Sequence, residues 1–452
     1  LGILQLTVNM SGYDRKEDSP FRKPPVMPPD SDYKYKQFLQ RQKGLRCTYS
    51  GKTVKACDNE YIGIALFGTG RIGNLYLQLL HRNPVVKLLY IVESTEKTIQ
   101  QVQKQYESRK ATVLHYDQRD VAFKDEKVQG IVIATPTSTH EEIVQEALSH
   151  KKAVLCENMV ANDGDAIKKL YEEAKMNNLV LLSGLNRRFD PSVKNIYQRI
   201  QNHEIGKLQM VKTVNRICPL QSLEVLKNTA MTDELGIHDI DMICWILGEF
   251  PVKVMAVGHG NIPEVRDNHG IDTGLVIMKF ASGVVAEIDL ARYSPYGCDQ
   301  RLEVTGSSGL LQSNNEVPIN VALMNDKGMS CPPMYHSFVS RYRDSYLYQL
   351  DHFLDCVQGV DKPIILAEET VAVKRVAMAA EISLHTSNCV TLNWDSDDFS
   401  SLVKLHHGTT SPARRNSHDF RRNSHDDRSR NHFSKLGAPR RGSYDVFPEA
   451  LH

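Results

Sequence analysis

The feature that most constrains the fold is a glycine-rich turn between two apolar segments, within YIGIALFGTGRIGNLYLQLLHRNPVVKLLYIVE at 61–93. Gly68, Gly70 and Gly73 fit the spacing G-x-G-x-x-G. In such a turn the first glycine permits a tight bend, the second lets backbone N–H groups approach a pyrophosphate, and the third allows close packing of helix and strand. The flanking residues predict a buried strand before the turn and a helix over about 72–81 after it. The segment therefore predicts a dinucleotide-binding β-α-β unit.

An acidic residue follows in register. Glu93 ends the second strand, 20 residues after Gly73. A carboxylate there can accept hydrogen bonds from both ribose hydroxyls and repels a 2′-phosphate, so we expect NAD rather than NADP. Arg71 and Ile72 begin the helix whose positive N-terminal end would face the pyrophosphate. A glycine turn alone fits a purely structural bend equally well, but the strand, helix and acid together favour a cofactor site.

Composition divides the 452 residues into four parts. Residues 1–58 are polar and rich in proline, which predicts a disordered arm. In 59–182 strand-like and helix-like segments alternate, which predicts a Rossmann domain with a doubly wound parallel sheet. In 183–396 long strands separated by turn residues predict an α/β domain with a large, mostly antiparallel open sheet. Residues 397–452 are rich in Arg and Ser and predict a disordered basic tail, so the predicted fold class is α/β.

Several classes of protein are excluded by composition. The net charge is +1 and the basic surplus lies in the tail, so the body does not resemble a nucleic-acid binder. No apolar run approaches the ~20 residues that span a bilayer, and the first residues lack the basic region of a signal peptide. The nine cysteines are scattered without a C-x-x-C pair, which indicates reduced thiols in a cytoplasmic protein and no zinc site. Because the chain begins with Leu1, Met10 is a candidate start.

Seven segments, in order, resemble the glucose–fructose oxidoreductase / inositol dehydrogenase / rhizopine-catabolism (Gfo/Idh/MocA) family. They are GTGRIG, IVIATPTSTH, AVLCENMVA, GLNRRFDPS, GIHDIDMICWILGE, YGCDQRLEVTGSSG and SRYRDSYLYQLDHFLD, and the resemblance covers about 61–392. The segment YGCDQR is most similar to the inositol dehydrogenase branch. The resemblance implies a Rossmann domain followed by an α/β domain whose open sheet mediates oligomerisation, here into a dimer or tetramer. It also implies hydride transfer between NAD(P) and a secondary alcohol of a sugar or cyclitol.

His238 is the candidate base for that reaction. Oxidation of an alcohol needs a base for the hydroxyl proton, and the ordinary pKa of histidine, ~6.5, is close to working pH. The family pattern G-x-H-x-x-D matches Gly236, His238 and Asp241, so the resemblance implies His238 as base and Asp241 as a substrate residue. Glu234 stands where the family has an aspartate that orients the histidine. A hydrogen-bonded core histidine and a solvated acid at a helix start remain the alternatives.

The clearest departure from the family is at 157–159. The family motif Glu-Lys-Pro, whose lysine donates a hydrogen bond to the reacting oxygen, is replaced by Glu-Asn-Met. Asn158 can donate a neutral hydrogen bond but cannot supply positive charge or relay a proton. Losing such a group typically lowers the rate by on the order of 10²–10³. Lys151, Lys152 and Lys168 precede the strand or follow on the next helix, where we expect them to be poorly placed to substitute.

Other residues correspond to the rim of the family's site. A Thr-Pro turn after an apolar strand lies where open α/β sheets bind ligands, although an ordinary strand-to-helix cap would look the same. The resemblance implies cofactor contacts from Thr135, Pro136, His140 and Glu157. It implies substrate contacts from Asn186 and Arg187, although packing would explain Arg187 equally well.

The tail repeats one pattern three times, with two arginines shortly before Ser417, Ser424 and Ser443. This pattern is typical of acceptor sites for basophilic kinases, and phosphorylation would add about −1.5 to −2 charges per site. A solvated charged tail is the alternative. Its histidines have no cysteine partners or regular spacing, so no metal site is expected.

The sequence therefore predicts an NAD-dependent oxidoreductase acting on a polyol, cyclitol or sugar. His238 would be its base, Glu234 the group orienting that base, and Asn158 an impaired hydrogen-bond donor. The loss of the family lysine leaves a second hypothesis open, a pseudoenzyme that holds NAD(H) as a structural or sensing ligand and contacts partners through the tail.

Overall fold

The computed structural model of the chain describes residues 61–106, 111–222, 225–226, 229–268 and 270–394, all within one compact unit. The predicted N-terminal arm, the predicted tail and its three candidate phosphorylation serines lie outside these ranges. Within them, no helix is long and apolar enough to cross a membrane.

The first half of the described chain forms a six-stranded parallel sheet. Its strands are β1 (Ile62–Phe67), β2 (Val86–Glu93), β3 (Thr112–His115), β4 (Gly130–Ile133), β5 (Ala153–Cys156) and β6 (Leu181–Ser183). The spatial order is β3-β2-β1-β4-β5-β6, with all neighbours parallel. This order reverses between β1 and β4, and such a reversal creates the crevice in which open α/β sheets bind ligands. The predicted doubly wound sheet is confirmed.

Strand β1 shows why the sheet must be covered on both faces. All six of its residues are buried. Because successive side chains point to opposite faces, Ala65 and Phe67 join one apolar cluster, whereas Ile64 and Leu66 join another. A continuous apolar run of this kind is what a parallel strand between two helical layers requires.

Helices cover both faces and continue into the second half. They are α1 (Arg71–Arg82), α2 (Glu96–Tyr106), α3 (Asp120–Lys124), α4 (His140–Ser149), α5 (Gly164–Met176), α6 (Pro191–Gln201), α7 (Ile237–Leu247), α8 (Pro263–Arg266), α9 (Phe338–Arg341), α10 (Arg343–Val357) and α11 (Ala367–Thr386). The helix expected over about 72–81 is α1, one residue longer at each end. A π-helical turn, Thr232–Gly236, leads directly into α7.

The second half contains a seven-stranded sheet. Its strands are β7 (Leu208–Arg216), β8 (Pro251–His259), β9 (Thr273–Phe280), β10 (Val285–Ala291), β11 (Asp299–Gly306), β12 (Gly309–Ser313) and β15 (Val390–Thr391), and a separate hairpin is formed by β13 (Leu323–Asn325) and β14 (Gly328–Ser330). The order is β12-β11-β7-β10-β9-β8-β15, and only β7 and β10 pair in parallel. The predicted mostly antiparallel sheet is confirmed, whereas the residue numbers of the domain boundaries stay predictions.

Helix α11 connects the two halves next to the site. It packs on β8 of the second sheet and on α5, which covers the first. The Tyr171 hydroxyl of α5 lies 3.2 Å from the Thr370 hydroxyl, and the Thr232 hydroxyl of the π-helical turn donates to Glu381 at 2.7 Å. The turn before His238 is therefore fixed against the last long helix.

Candidate functional site

The glycine turn has the geometry that its sequence predicts. Gly68 adopts φ +83°, in the left-handed region where L side chains are rare. A Cβ on Gly73 would lie 2.1 Å from the carbonyl oxygen of Gly68, so only glycine allows α1 to approach β1 this closely. At Gly70, by contrast, a Cβ would meet nothing within 4 Å. The open side of the turn therefore lies at the position where a pyrophosphate is expected to approach.

The surroundings of the turn also fit a dinucleotide. Helix α1 begins at Arg71 with no side-chain cap and no acidic residue in its first turn, so its N–H groups remain available to an anion. Glu93 is 9% exposed, and its Oε1 accepts hydrogen bonds from the backbone N–H and the hydroxyl of Thr69. A carboxylate has acceptor capacity beyond these bonds, which leaves it able to accept from ribose hydroxyls. The residues present fit the NAD predicted from sequence.

A cavity of about 280 Å³ opens beside this turn. On the cofactor side it is lined by the predicted residues Arg71, Ile72 and Glu157. On the other side it is lined by the predicted residues Asn158, Asn186, Arg187, Glu234 and His238. The predicted residues among them span 167 positions of the chain, from Arg71 to His238, and the fold brings them to one concave surface.

Two residues that were predicted to contact the cofactor, His140 and Thr135, are joined by a hydrogen bond. His140 is 1% exposed, with Nδ1 2.7 Å from the carbonyl of Met159 and Nε2 2.8 Å from the carbonyl of Thr135. The Thr135 hydroxyl accepts from Thr139 at 2.8 Å. His140 therefore holds the Thr135–Pro136 turn against the segment that carries Asn158. Burial lowers the pKa of His140, and the two carbonyl contacts oppose this shift because a neutral ring can donate to only one of them.

The expected substrate contact of Asp241 is corrected by the structure. Asp241 does not line the cavity and is 1% exposed. Its carboxylate accepts from Arg188, at 2.5 Å from Nη2 and 3.0 Å from Nε. Arg188 Nη1 also donates to Glu369 at 2.8 Å. Asp241 is therefore a buried ion-pair partner that fixes α7, on a face of that helix that does not line the cavity.

The expected contact between Glu234 and His238 is also corrected. The Glu234 carboxylate accepts from the Gln221 amide, and from the Thr229 hydroxyl at 3.0 Å. Its Oε2 lies 3.6 Å from Arg292 Nη2. No hydrogen bond joins it to His238, because these competing donors turn the longer glutamate side chain away. Burial, followed by the Arg187 guanidinium, lowers the pKa of His238 to about 3.

Four polar atoms around the cavity have no hydrogen-bond partner among the described residues. They are Asn158 Oδ1, Gln221 Oε1, Asp233 Oδ1 and His238 Nδ1, and all four residues line the cavity. Buried polar atoms are almost always paired, and an unpaired group costs about 1–3 kcal/mol. Unpaired polar atoms on four residues of one cavity wall are compatible with a ligand that has several hydroxyl groups, since a hydroxyl both donates and accepts.

A closed ring of hydrogen bonds supports the floor of the cavity, and most of its members were not predicted from the sequence. Arg187 donates to Asp239 at 2.6 Å and to Gln300 at 2.9 Å. Asn215 donates to Asp239 at 2.7 Å and accepts from Gln300 at 2.8 Å. Tyr342 donates to Gln300 at 3.1 Å. The one feature of the sequence that pointed to this ring was Gln300, which lies in the YGCDQR segment. The ring makes Arg187 a fixed positive charge.

Glu157 carries an unusual carboxyl group. It accepts a hydrogen bond from the Tyr76 hydroxyl at 2.8 Å, and burial raises its pKa from 4.5 to about 7. The folded state therefore keeps a proton between pH 4.5 and 7 that the unfolded state has lost. The contribution of Glu157 to the free energy of unfolding is therefore largest below pH 4.5, and it is lost as the pH rises through about 7.

Replacing Glu157 with glutamine is expected to remove that fall. Glutamine keeps an oxygen for Tyr76 but cannot ionise, so the melting temperature of Glu157→Gln relative to the unaltered protein should rise from pH 5 to pH 8. Thermal unfolding without cofactor measures this, with the exposed Glu172→Gln as the matched control. An equal difference at both pH values would show that Glu157 has an ordinary pKa in the folded state.

Comparisons with known proteins agree with this geometry. Residues 62–185 match the family profile described as "Oxidoreductase family, NAD-binding Rossmann fold", and residues 198–392 match its "C-terminal alpha/beta domain". The myo-inositol 2-dehydrogenase of Thermotoga maritima is 29% identical over 331 residues, covering 73% of this chain and 98% of that protein. The inositol 2-dehydrogenase of Rhizobium meliloti is 27% identical over 333 residues, covering 72% and 99%.

The likeness extends to solved structures. A myo-inositol dehydrogenase from Corynebacterium glutamicum superposes with a TM-score of 0.68 and is 29% identical. The superposition covers 74% of this chain and 99% of that one. The similarity therefore extends over the parts of the chain that form both sheets.

Proposed function

Because the chain belongs to the Gfo/Idh/MocA oxidoreductase family, we propose that it transfers a hydride between NAD and a secondary alcohol of a polyol, cyclitol or sugar. The observation that carries this proposal is the set of four unpaired polar atoms around the cavity beside the glycine turn. A ligand with several hydroxyl groups would satisfy them together, whereas an apolar ligand would leave each unpaired. The inositol dehydrogenases among the relatives make a cyclitol the first substrate to test.

The residues of the site have defined parts in this proposal. The turn from Gly68 to Gly73 and Glu93 bind the cofactor, which supplies a nicotinamide that takes up the carbon-bound hydrogen. His238 is neutral at neutral pH because its pKa is lowered, so it can accept the hydroxyl proton. The ring around Arg187 keeps the adjoining wall rigid, which favours one orientation of the substrate.

The proposal is tested by NADH titration, followed by an assay of NAD reduction with myo-inositol and a panel of other polyols. We expect quenching or enhancement of NADH fluorescence on binding, and turnover with at least one cyclitol. Gly70→Ala is the matched control, because its Cβ would meet no described residue within 4 Å but would lie where a pyrophosphate is expected to approach. It should keep the melting temperature and bind NADH more weakly. NADH binding without turnover on any polyol would contradict the enzyme and leave a cofactor-holding protein.

We also propose a homo-oligomer, a kinase partner and a cytoplasmic location. Exposed apolar side chains on the second sheet support an oligomer, namely Met255, Val257 and Ile277 at 42%, 48% and 41%. Sedimentation analysis tests it, and a monomer at micromolar concentration would contradict it.

The repeated arginine pattern supports phosphorylation at Ser417, Ser424 and Ser443, which mass spectrometry of the isolated protein tests. The scattered cysteines support the location, which cell fractionation tests.

A further inference from the structure

One cationic residue of the cavity comes from a helix that the family motifs do not include. Lys374 lies on α11, is 5% exposed, and lines the same cavity as Asn158 and His238. We propose that the Lys374 ammonium donates a hydrogen bond to the reacting oxygen of the substrate and supplies the positive charge absent at Asn158. The inference rests on the proposed function and adds a catalytic residue to it.

The ammonium of Lys374 is held at the cavity by the turn that precedes the base. Lys374 Nζ donates to Asp233 Oδ2 at 2.8 Å, and Asp233 also lines the cavity. The other carboxylate oxygen, Oδ1, is buried and has no hydrogen-bond partner within the part of the chain that the structure describes. Because Asp233 lies on the π-helical turn that leads into α7, the same short segment positions both the cation and His238.

The other cationic side chains of the cavity wall are arginines with contacts of their own. Of the cationic side chains that line it within the described residues, Arg71 lies over the Phe338 ring at 4.5 Å. Arg187 is bonded to Asp239 and Gln300 in the ring described above. The ammonium of Lys374 has more N–H donors than its bond to Asp233 uses, so donors remain for a substrate oxygen.

The lysines near the Glu-Asn-Met segment at 157–159 do not line the cavity. Lys152 Nζ donates to the carbonyl of Asp125 at 2.8 Å, and Lys151 Nζ donates to Asn177. Neither residue, nor Lys168, lines the cavity. The expectation that they are poorly placed agrees with these contacts, and no sequence pattern pointed to Lys374.

The chemistry of the base makes such a cation useful. In the proposed reaction the alcohol loses its O–H proton to His238 and its carbon-bound hydrogen, with the electron pair, to the nicotinamide. The alcohol is thereby oxidised to a ketone and NAD⁺ is reduced to NADH. Lys374 stays protonated throughout and stabilises the negative charge that develops on oxygen. Such a cation acidifies the hydroxyl, which compensates for a base whose pKa is lower than usual.

The test is the variant Lys374→Met in the full chain, with the exposed Lys279→Met as the matched control. We expect kcat to fall by about 10²–10³, with the NADH dissociation constant unchanged within about twofold. Lys374→Arg, which keeps a cation, should retain more activity than Lys374→Met. Adding Asn158→Lys to Lys374→Met should recover at least about tenfold of the lost kcat, since it restores a charged donor to the same cavity. A kcat within about threefold of the unaltered protein in Lys374→Met would overturn the inference.

Two further measurements distinguish a failure of the inference about Lys374 from a folding defect and from a failure of the proposed function. If loss of the ion pair prevents folding, Asp233→Asn with Lys374→Met leaves no unpaired carboxylate, and the same loss of kcat is expected. Calorimetry with myo-inositol and saturating NADH needs no turnover. There Lys374→Met should weaken binding about tenfold or more, as for a lost hydrogen bond to a charged group. If the unaltered protein binds myo-inositol but never turns over, the proposed function fails, whereas unchanged binding in Lys374→Met overturns the inference itself.

Discussion

Replacing His238 with asparagine is expected to lower kcat by about 10²–10⁴ while NADH affinity stays within about twofold. His238 lines the cavity, and its Nδ1 has no hydrogen-bond partner among the described residues. The variant therefore breaks no bond of that atom, and its cost should appear in the chemical step. Asparagine cannot take up the hydroxyl proton, so only the bound cofactor and the remaining donors would accelerate the reaction. Steady-state kinetics and NADH fluorescence titration measure the two quantities.

The matched control is His259→Asn, at an exposed position on β8. It should leave kcat and NADH affinity unchanged. Retention of more than about a tenth of the activity by His238→Asn would assign proton transfer to another group, because general-base catalysis contributes about 10²-fold at least. A large loss of NADH affinity would instead indicate that His238 supports the cofactor.

Replacing Arg188 with methionine is expected to reduce the free energy of unfolding by about 3–5 kcal/mol. Arg188 is 2% exposed and bonds to both Asp241 and Glu369. Its removal leaves the fully buried Asp241 carboxylate without its cation, and an unpaired buried charge is among the costliest defects in a folded protein. Denaturant-induced unfolding, followed by tryptophan fluorescence, measures the change.

A second variant distinguishes loss of the ion pair from loss of packing. Combining Arg188→Met with Asp241→Leu removes the fully buried pair and leaves only the partly exposed Glu369 without its cation. It should recover most of the lost stability, because a buried pair is often no better than apolar residues of similar size. If the double variant is as unstable as Arg188→Met, shape rather than charge governs this part of the core. If Arg188→Met leaves stability unchanged, Asp241 has another partner in solution.

The Rossmann half could be predicted closely because its signals are local. The turn at Gly68–Gly73, the all-buried β1 and Glu93 lie within one short stretch, and each has a recognisable pattern of residue types. A parallel strand needs apolar residues on both faces, and a tight turn over a phosphate needs glycine. These requirements act between neighbours in sequence, so the sequence expresses them directly.

Helix ends and side-chain partners were harder to predict from the sequence. The segment 338–357 forms two helices that are divided at Tyr342, which ends α9 and precedes α10. No glycine or proline marks this break. The Tyr342 hydroxyl instead bonds to Gln300, 42 residues earlier, in the ring beneath the cavity. A contact over that separation decides the local conformation, and a pattern within the helix cannot reveal it.

By itself the sequence determined the fold class, the nicotinamide cofactor, the family and the identity of His238 as the candidate base. Only the tertiary structure decided what surrounds that base. It turned Glu234 toward other donors, placed Asp241 in a buried ion pair, and brought Lys374 to Asp233 across 141 positions of the chain. The physical reason is that a fold is specified by patterns between near neighbours, whereas the charge and hydrogen bonding of a site depend on side chains that meet only after the chain has folded.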